Sequence, residues 1–117
     1  NDIHLLKVGR HFRLDGATKV VVGRVHRENG VITTFSRPTD LLLTTRDAFG
    51  PTALLRGVLS EGHVGTAAAL AARYSKLRGQ PLVAISVMPG RKGPAEAARV
   101  LDVAPITDEA AAAVRIG

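Results

Sequence analysis

The chain has 117 residues, a length that suits one domain around one core of ordinary size. Its formal charge is +6, and twelve of its sixteen basic residues are arginine, whose planar fork matches phosphate oxygens in pairs, so a polyanionic partner is expected. The lack of cysteine excludes disulfides, thiolate catalysis and zinc fingers, while three Phe, one Tyr and no Trp imply an aliphatic core and too few rings for a series of stacked bases.

Residues 1 to 7 are mixed in character and read as an entry segment, released at Gly9. His11 to Leu14 alternates polar and apolar residues with the period of a strand. Asp15-Gly16 is a turn signal, and the β-branched run Lys19 to Val22 completes a predicted hairpin. Gly23 to Gly30 is polar. Val25, Ile32 and Phe35 then fall on one helical face, but Gly30 and the β-branched residues after it predict a short or broken helix. Pro38 stops it. Asp40 to Thr45 reads as a buried strand, and the Gly50-Pro51 turn joins it to an antiparallel partner at Thr52 to Arg56.

The strongest helix signal runs from Gly65 to Arg78. It is rich in alanine and leucine, Thr66 is placed to cap its start, and Gly79 follows its end. Ala67, Leu70, Ala71, Tyr74 and Leu77 form one apolar stripe of mostly small side chains, and Arg73 and Lys76 lie on the opposite face with Arg78 just beyond, near the end where the helix dipole favours positive charge. Ser60 to Gly65 reads as a polar approach. After Gly79-Gln80-Pro81, Leu82 to Val87 is a strand, and Pro94 opens a predicted short helix over Ala95 to Leu101. Arg91 and Lys92 beside that helix start could hold an anion, although the loop lacks the spacing of a P-loop and reads first as plain surface. Thr107, Asp108 and Glu109 mark a last helix through Val114. The order predicts an α+β single domain over residues 1–117, with a mixed β-sheet, one long helix and one or two short ones. No apolar run nears the roughly 18 residues of a membrane span, so no membrane partner is expected. The chain begins at Asn1 without a methionine and reads as a piece of a longer protein.

Nothing in the sequence argues for chemistry. His11, His26 and His63 lie far apart, and no nucleophile elbow, zinc-binding helix or dinucleotide glycine pattern is present. Ser75 and Lys76 are adjacent on a helix and point apart, so they make no dyad. No catalytic residue, metal or cofactor is expected.

Several strings together resemble a known family. Gly23-Arg24 with Glu28-Asn29, Asp40 to Leu43 with Arg46 and Gly50 after it, and Ala68 to Lys76 are similar to the NFACT-R domain. The opening Lys7 to Leu14 is similar to the branch found at the C-terminus of bacterial proteins related to tRNA 4-thiouridine synthases. The resemblance runs through about Val87. It implies a non-catalytic, cytoplasmic RNA-binding module, with tRNA as ligand, appended to a tRNA-modifying parent of the thiolation or methylation type or to a ribosome-associated one. It carries over Arg24, Asn29, Asp40, Arg46, Tyr74 and Lys76 as site residues. Where the broader family shows Trp and His in an Asp-x-Trp-x-His string, this chain has Leu42 and Thr44.

Arginine content and resemblance together predict that Arg10, Arg13, Arg24, Arg27, Arg46, Arg73 and Lys76 grip RNA phosphates, with Asn29, Asp40 and Tyr74 beside them and Arg91 and Lys92 on the loop. A rival reading is a basic interaction module that docks an acidic protein partner or a neighbouring domain of the parent. A third is a phosphate-ligand or enzymatic role at the Gly90 to Pro94 loop.

Overall fold

Side-chain alternation sets the hairpin. The computed structural model describes residues 7–116, so all but Lys7 of the expected entry segment lies outside the described residues. β1 (Arg10–Asp15) pairs antiparallel with β2 (Thr18–Val22), and Asp15 Oδ1 accepts the Ala17 N–H at 2.8 Å across the turn. Then come α1 (His26–Thr34), β3 (Leu41–Thr45), β4 (Ala53–Arg56), α2 (Glu61–Arg73) and β5 (Val83–Pro89). A 3-10 turn at Ala95–Ala97, β6 (Arg99–Val103), α3 (Asp108–Val114) and β7 (Arg115–Ile116) complete the described chain.

These seven strands make one sheet in the order β6-β5-β3-β4-β2-β1-β7. The fold is α+β, as expected, but the sheet is antiparallel at every described pairing rather than mixed. The cause is where the helical crossovers land. α1 leads from β2 to a strand parallel to it, and α2 leads from β4 to another, yet in each case an antiparallel strand fits between the two. β2 and β4 run in opposite directions and both crossovers move the same way along the sheet, so a single hand of crossover puts α1 and α2 on opposite faces.

Both faces are therefore covered at the centre. Val20, Val22, Leu41, Leu43, Ala53 and Leu55 meet Val64, Ala67, Leu70 and Ala71 of α2, whose small side chains let the helix lie close to the sheet. Val21, Leu42 and Leu54, on the other face, meet Ile32 of α1. Among the described residues Phe12 is the one fully buried ring, so the core is aliphatic as composition implied. No helix among them is long and apolar enough to cross a membrane.

Two helix boundaries and one element differ from expectation. α2 starts four residues earlier, because Ser60 caps it by accepting the His63 N–H at 3.1 Å, while Thr66 instead donates to the Gly62 carbonyl. It ends at Arg73, where Ser75 Oγ donates to the Ala72 carbonyl and accepts the Leu77 N–H, drawing the backbone out of the helix. The predicted helix at Ala95 to Leu101 is only a 3-10 turn followed by β6, because the open edge of β5 satisfies the backbone of Arg99–Val103 as a strand. The final helix begins as expected, with Thr107 Oγ1 accepting the Ala110 N–H.

A buried ion pair ties the sheet to the loops beside it. Asp40 is 1% exposed; its carboxylate accepts from Arg56 Nε at 2.9 Å and Nη2 at 2.7 Å, and from the Arg37 N–H at 2.7 Å. The Asp40 carbonyl accepts the Gly90 N–H at 2.8 Å, and a Cβ on Gly90 would stand 2.0 Å from the Arg37 carbonyl oxygen. Gly90 is thus required by close backbone approach. Removing one partner of a buried pair leaves the other charge uncompensated, so Asp40→Ala is expected to cost about 3–5 kcal/mol in urea denaturation.

Candidate nucleic-acid interface

Four chain segments meet at one end of the sheet: the start of β1, the junction of β2 with α1, the β3–β4 loop, and the exit from α2. They surround an open cleft of about 500 Å³. Arg10 enters it from β1, Arg24, His26 and Asn29 from the junction and α1, and Lys76 and Arg78 from the chain after α2. Tyr74 and Phe49 complete the walls, and among the described residues no Asp or Glu lines it. A concave surface with this charge concentrates the field that attracts a polyanion.

Local packing explains why these side chains meet. The guanidinium of Arg10 sits 4.4 Å from the centroid of the Tyr74 ring, which in turn lies 6.1 Å from the Phe12 ring, so the core fixes the tyrosine and the tyrosine fixes the arginine. Asn29 Oδ1 accepts the Thr52 N–H at 3.0 Å, and Gly23 donates to the Thr52 carbonyl at 3.0 Å. A Cβ on Gly23 would stand 2.1 Å from Asn29 Oδ1. Gly23 is glycine because the Asn29 carboxamide occupies that space. Asn29 therefore locks α1 to the approach of β4, and it borders the cleft from that position.

Arg24 is held in the same manner. The N-cap of α1, Val25, offers no side-chain cap, and Glu28 reaches back instead: its Oε1 accepts the Arg24 N–H at 2.9 Å. The same carboxylate takes the Arg24 guanidinium side-on, at 3.0 Å from Nε and 2.7 Å from Nη2. Glu28's side chain is 4% exposed and Arg24's 50%, so the acid is buried while the arginine presents its outer half to the cleft. The arginine, foremost, holds the Glu28 carboxyl down to about 2, against the opposing effect of burial.

Of the twelve residues predicted to bind RNA, the cleft brings together Arg10, Arg24, Asn29, Tyr74 and Lys76. The others lie elsewhere. Arg13 follows the inward-facing Phe12 on β1 and so projects from the opposite face of the sheet. Arg27 is exposed on α1 without lining the cleft. Asp40 is spent inside the fold on Arg56. Arg46 pairs side-on with its neighbour Asp47 on the outer side of the β3–β4 loop, at 2.9 and 3.0 Å. Arg73 turns toward α3 and pairs with Asp108, because α2 ends before its basic face can extend to Lys76. Arg91 and Lys92 lie on the β5–β6 loop, which Ser36 braces by accepting the Arg91 N–H at 2.9 Å.

Arg78, His26 and Phe49 also line the cleft, although none of them is among the residues predicted to bind RNA; of the three, only Arg78 carried a signal of charge, as the cation just beyond Arg73 and Lys76. For Phe49 a signal existed, an aromatic next to Gly-Pro in an otherwise polar turn. For Glu28 the signal was an acid three positions into a helix that has no capping side chain. The other described histidines have local partners: His11 Nε2 lies 2.8 Å from the Val8 carbonyl oxygen, and His63 lies between the Val58 carbonyl at 2.7 Å and Asp15 at 3.0 Å.

A family model described as the NFACT protein RNA binding domain matches residues 9–114. The structure of the C-terminal of the fibronectin/fibrinogen-binding protein from Streptococcus suis has the same fold, with a TM-score of 0.80 at 24% identity over 93% of this chain. The chain spans about half of that structure, 49% of its length. No curated protein matches the chain.

The depressed Glu28 pKa makes the α1 entry acid-sensitive. A carboxyl whose pKa is lower folded than unfolded adds stability that is complete above its unfolded value, here 4.5, and is lost as pH falls toward about 2. In urea denaturation, the advantage of the wild type over Glu28→Gln is expected to shrink by roughly 3 kcal/mol between about pH 6 and pH 2.

Proposed function

The chain belongs to the NFACT protein RNA-binding domain family, and we propose that it is a binding module that holds a structured RNA, tRNA by preference, through phosphates seated in the cleft at the end of the sheet. The observation that carries this is the convergence of Arg10, Arg24, Lys76 and Arg78 on one concavity that no described carboxylate lines. Glu28 neutralises much of Arg24, so Arg10, Lys76 and Arg78 supply most of the attraction. Arg10 is held by the Tyr74 ring, whereas Lys76 and Arg78 follow the end of α2 and adapt to the backbone they meet.

Phosphate contacts of this kind fix register and orientation without reading bases, so recognition rests on RNA shape. The resemblance of the single opening string Lys7 to Leu14 to the branch near tRNA 4-thiouridine synthases is what supports tRNA as the ligand, a tRNA-modifying parent and a cytoplasmic setting. In that arrangement the module presents the substrate and the chemistry lies in the rest of the parent.

A salt series tests the reading. Affinity for tRNA is expected to exceed that for a DNA duplex of equal charge, with log affinity falling linearly with log salt. Lys76→Ala with Arg78→Ala should weaken tRNA binding and lower the slope by about 0.7 to 0.9 for each phosphate no longer neutralised, while Arg13→Ala leaves both nearly unchanged. Absence of tRNA binding at low salt would overturn the proposal and leave the cleft to an acidic protein surface.

A further inference from the structure

Phe49 is 92% exposed, more than any other large hydrophobic side chain among the described residues, and it stands at the rim of a cleft otherwise dominated by cations. A surface that only attracts phosphates has no use for an apolar ring in that position. We infer that Phe49 is the stacking platform for one unpaired RNA base whose flanking phosphates lie on the cations beside it. This inference rests on the RNA reading given above and adds the feature of the RNA that the cleft selects.

The loop is built to hold the ring outward. Before Phe49, the Thr45 hydroxyl donates to the Ala48 carbonyl at 2.5 Å, closing the turn. After it, a Cβ on Gly50 would stand 2.9 Å from Thr45 Oγ1 and 3.3 Å from Ser75 Cβ, so the backbone there is closely hemmed in, and Pro51 is buried. Both flanks of Phe49 are therefore anchored, and the exposed ring belongs to a braced turn. The ring is also shared between two surfaces. On one side lies the cleft with Arg10, Lys76 and Arg78; on the other lies a second depression lined by Arg46 and Asp47. A base on the ring places its sugar-phosphate backbone along the seam between them. A base within an A-form helix has both faces covered, so the geometry selects a nucleotide from a loop, bulge or end. A single ring suits every base, because each offers a π-face. Composition excluded a row of rings, and one ring takes one base.

The test compares wild type, Phe49→Ala and Phe49→Trp against two probes, an RNA hairpin with an unpaired loop and a fully paired RNA duplex. Phe49→Ala is expected to weaken hairpin binding by about five- to 150-fold, the worth of one stacked base, with the duplex unaffected and the salt slope unchanged because no charge is removed. The chain has no tryptophan, so in Phe49→Trp the new indole is the sole one; it should restore hairpin affinity, and its fluorescence should be quenched by the hairpin and not by the duplex. Unchanged hairpin affinity in Phe49→Ala, equal losses on both probes, or an indole indifferent to the hairpin overturns the inference. If wild type meanwhile binds with its salt dependence intact, the RNA reading survives. If wild type binds neither probe, both fall.

Discussion

The centre of the sheet is dry on both faces, and the rest of the fold answers that constraint. Val20 to Val22, Leu41 to Leu43 and Ala53 to Leu55 are runs of three aliphatic residues on neighbouring strands, and every one of them is buried. In a strand, consecutive side chains point to opposite faces, so such runs need cover on each side. α2 covers one face with alanine, and α1 covers the other with Ile32. Because α1 begins and α2 ends at the same end of the sheet, the demand for two covers also creates the concavity between them. The cleft is a by-product of how a two-faced core is closed.

Charge follows a similar logic. Composition shows an excess of arginine, but among the described residues five of the twelve arginines spend their charge on carboxylates: Arg24 on Glu28, Arg46 on Asp47, Arg56 on Asp40, Arg73 on Asp108 and Arg99 on Glu61. Two of those acids, Asp40 and Glu28, are buried, and their arginines serve the fold before any ligand. The exposed pairs contribute little to stability, yet they cancel charge where they stand. What remains available at the end of the sheet is Arg10, Lys76 and Arg78. The field of the molecule is set by where each arginine stands relative to the acids, and that depends on tertiary structure.

The same dependence separates what was legible in the sequence from what was not. Elements driven by local pattern could be read directly: the hairpin from its alternation and Asp15-Gly16, the buried strands from their aliphatic runs, the last helix from Thr107. Elements decided by a distant partner could not. Arg99–Val103 has a helix-like neighbourhood of alanines and becomes a strand because β5 offers it an edge. The first five residues of α2 include two glycines, Gly62 and Gly65, and the helix starts there because Val64 is buried and Ser60 caps it. The candidate site divides along the same line. Arg24, Asn29, Tyr74 and Lys76 are legible in the family strings, because those strings encode the joints Gly23–Asn29 and Arg24–Glu28 and the exit of α2. A helix continued to Arg78 groups Arg73 with Lys76 and Arg78, whereas the Ser75 hydroxyl ends the helix at Arg73 and sends only Lys76 and Arg78 to the cleft.

The departure from the family at Leu42 and Thr44 also acquires a physical reading. Leu42 is 6% exposed and packs with Val21, Leu54 and Ile32 under α1, while Thr44 is half-buried farther along the same strand face. Neither residue lines the cleft. A tryptophan in place of Leu42 would need more room beneath α1 than a leucine occupies, so that helix would have to ride higher on the sheet. With leucine, the α1 layer closes tightly, and the joints that place Arg24 and Asn29 follow from that closure. The exchange of ring for aliphatic side chain thus acts on the face of the sheet that supports the cleft from behind. Among the described residues the aromatic side chains that reach the cleft stand at its own end of the sheet: Phe49 on the β3–β4 turn, 92% exposed, and Tyr74 after α2, half-buried beneath Arg10.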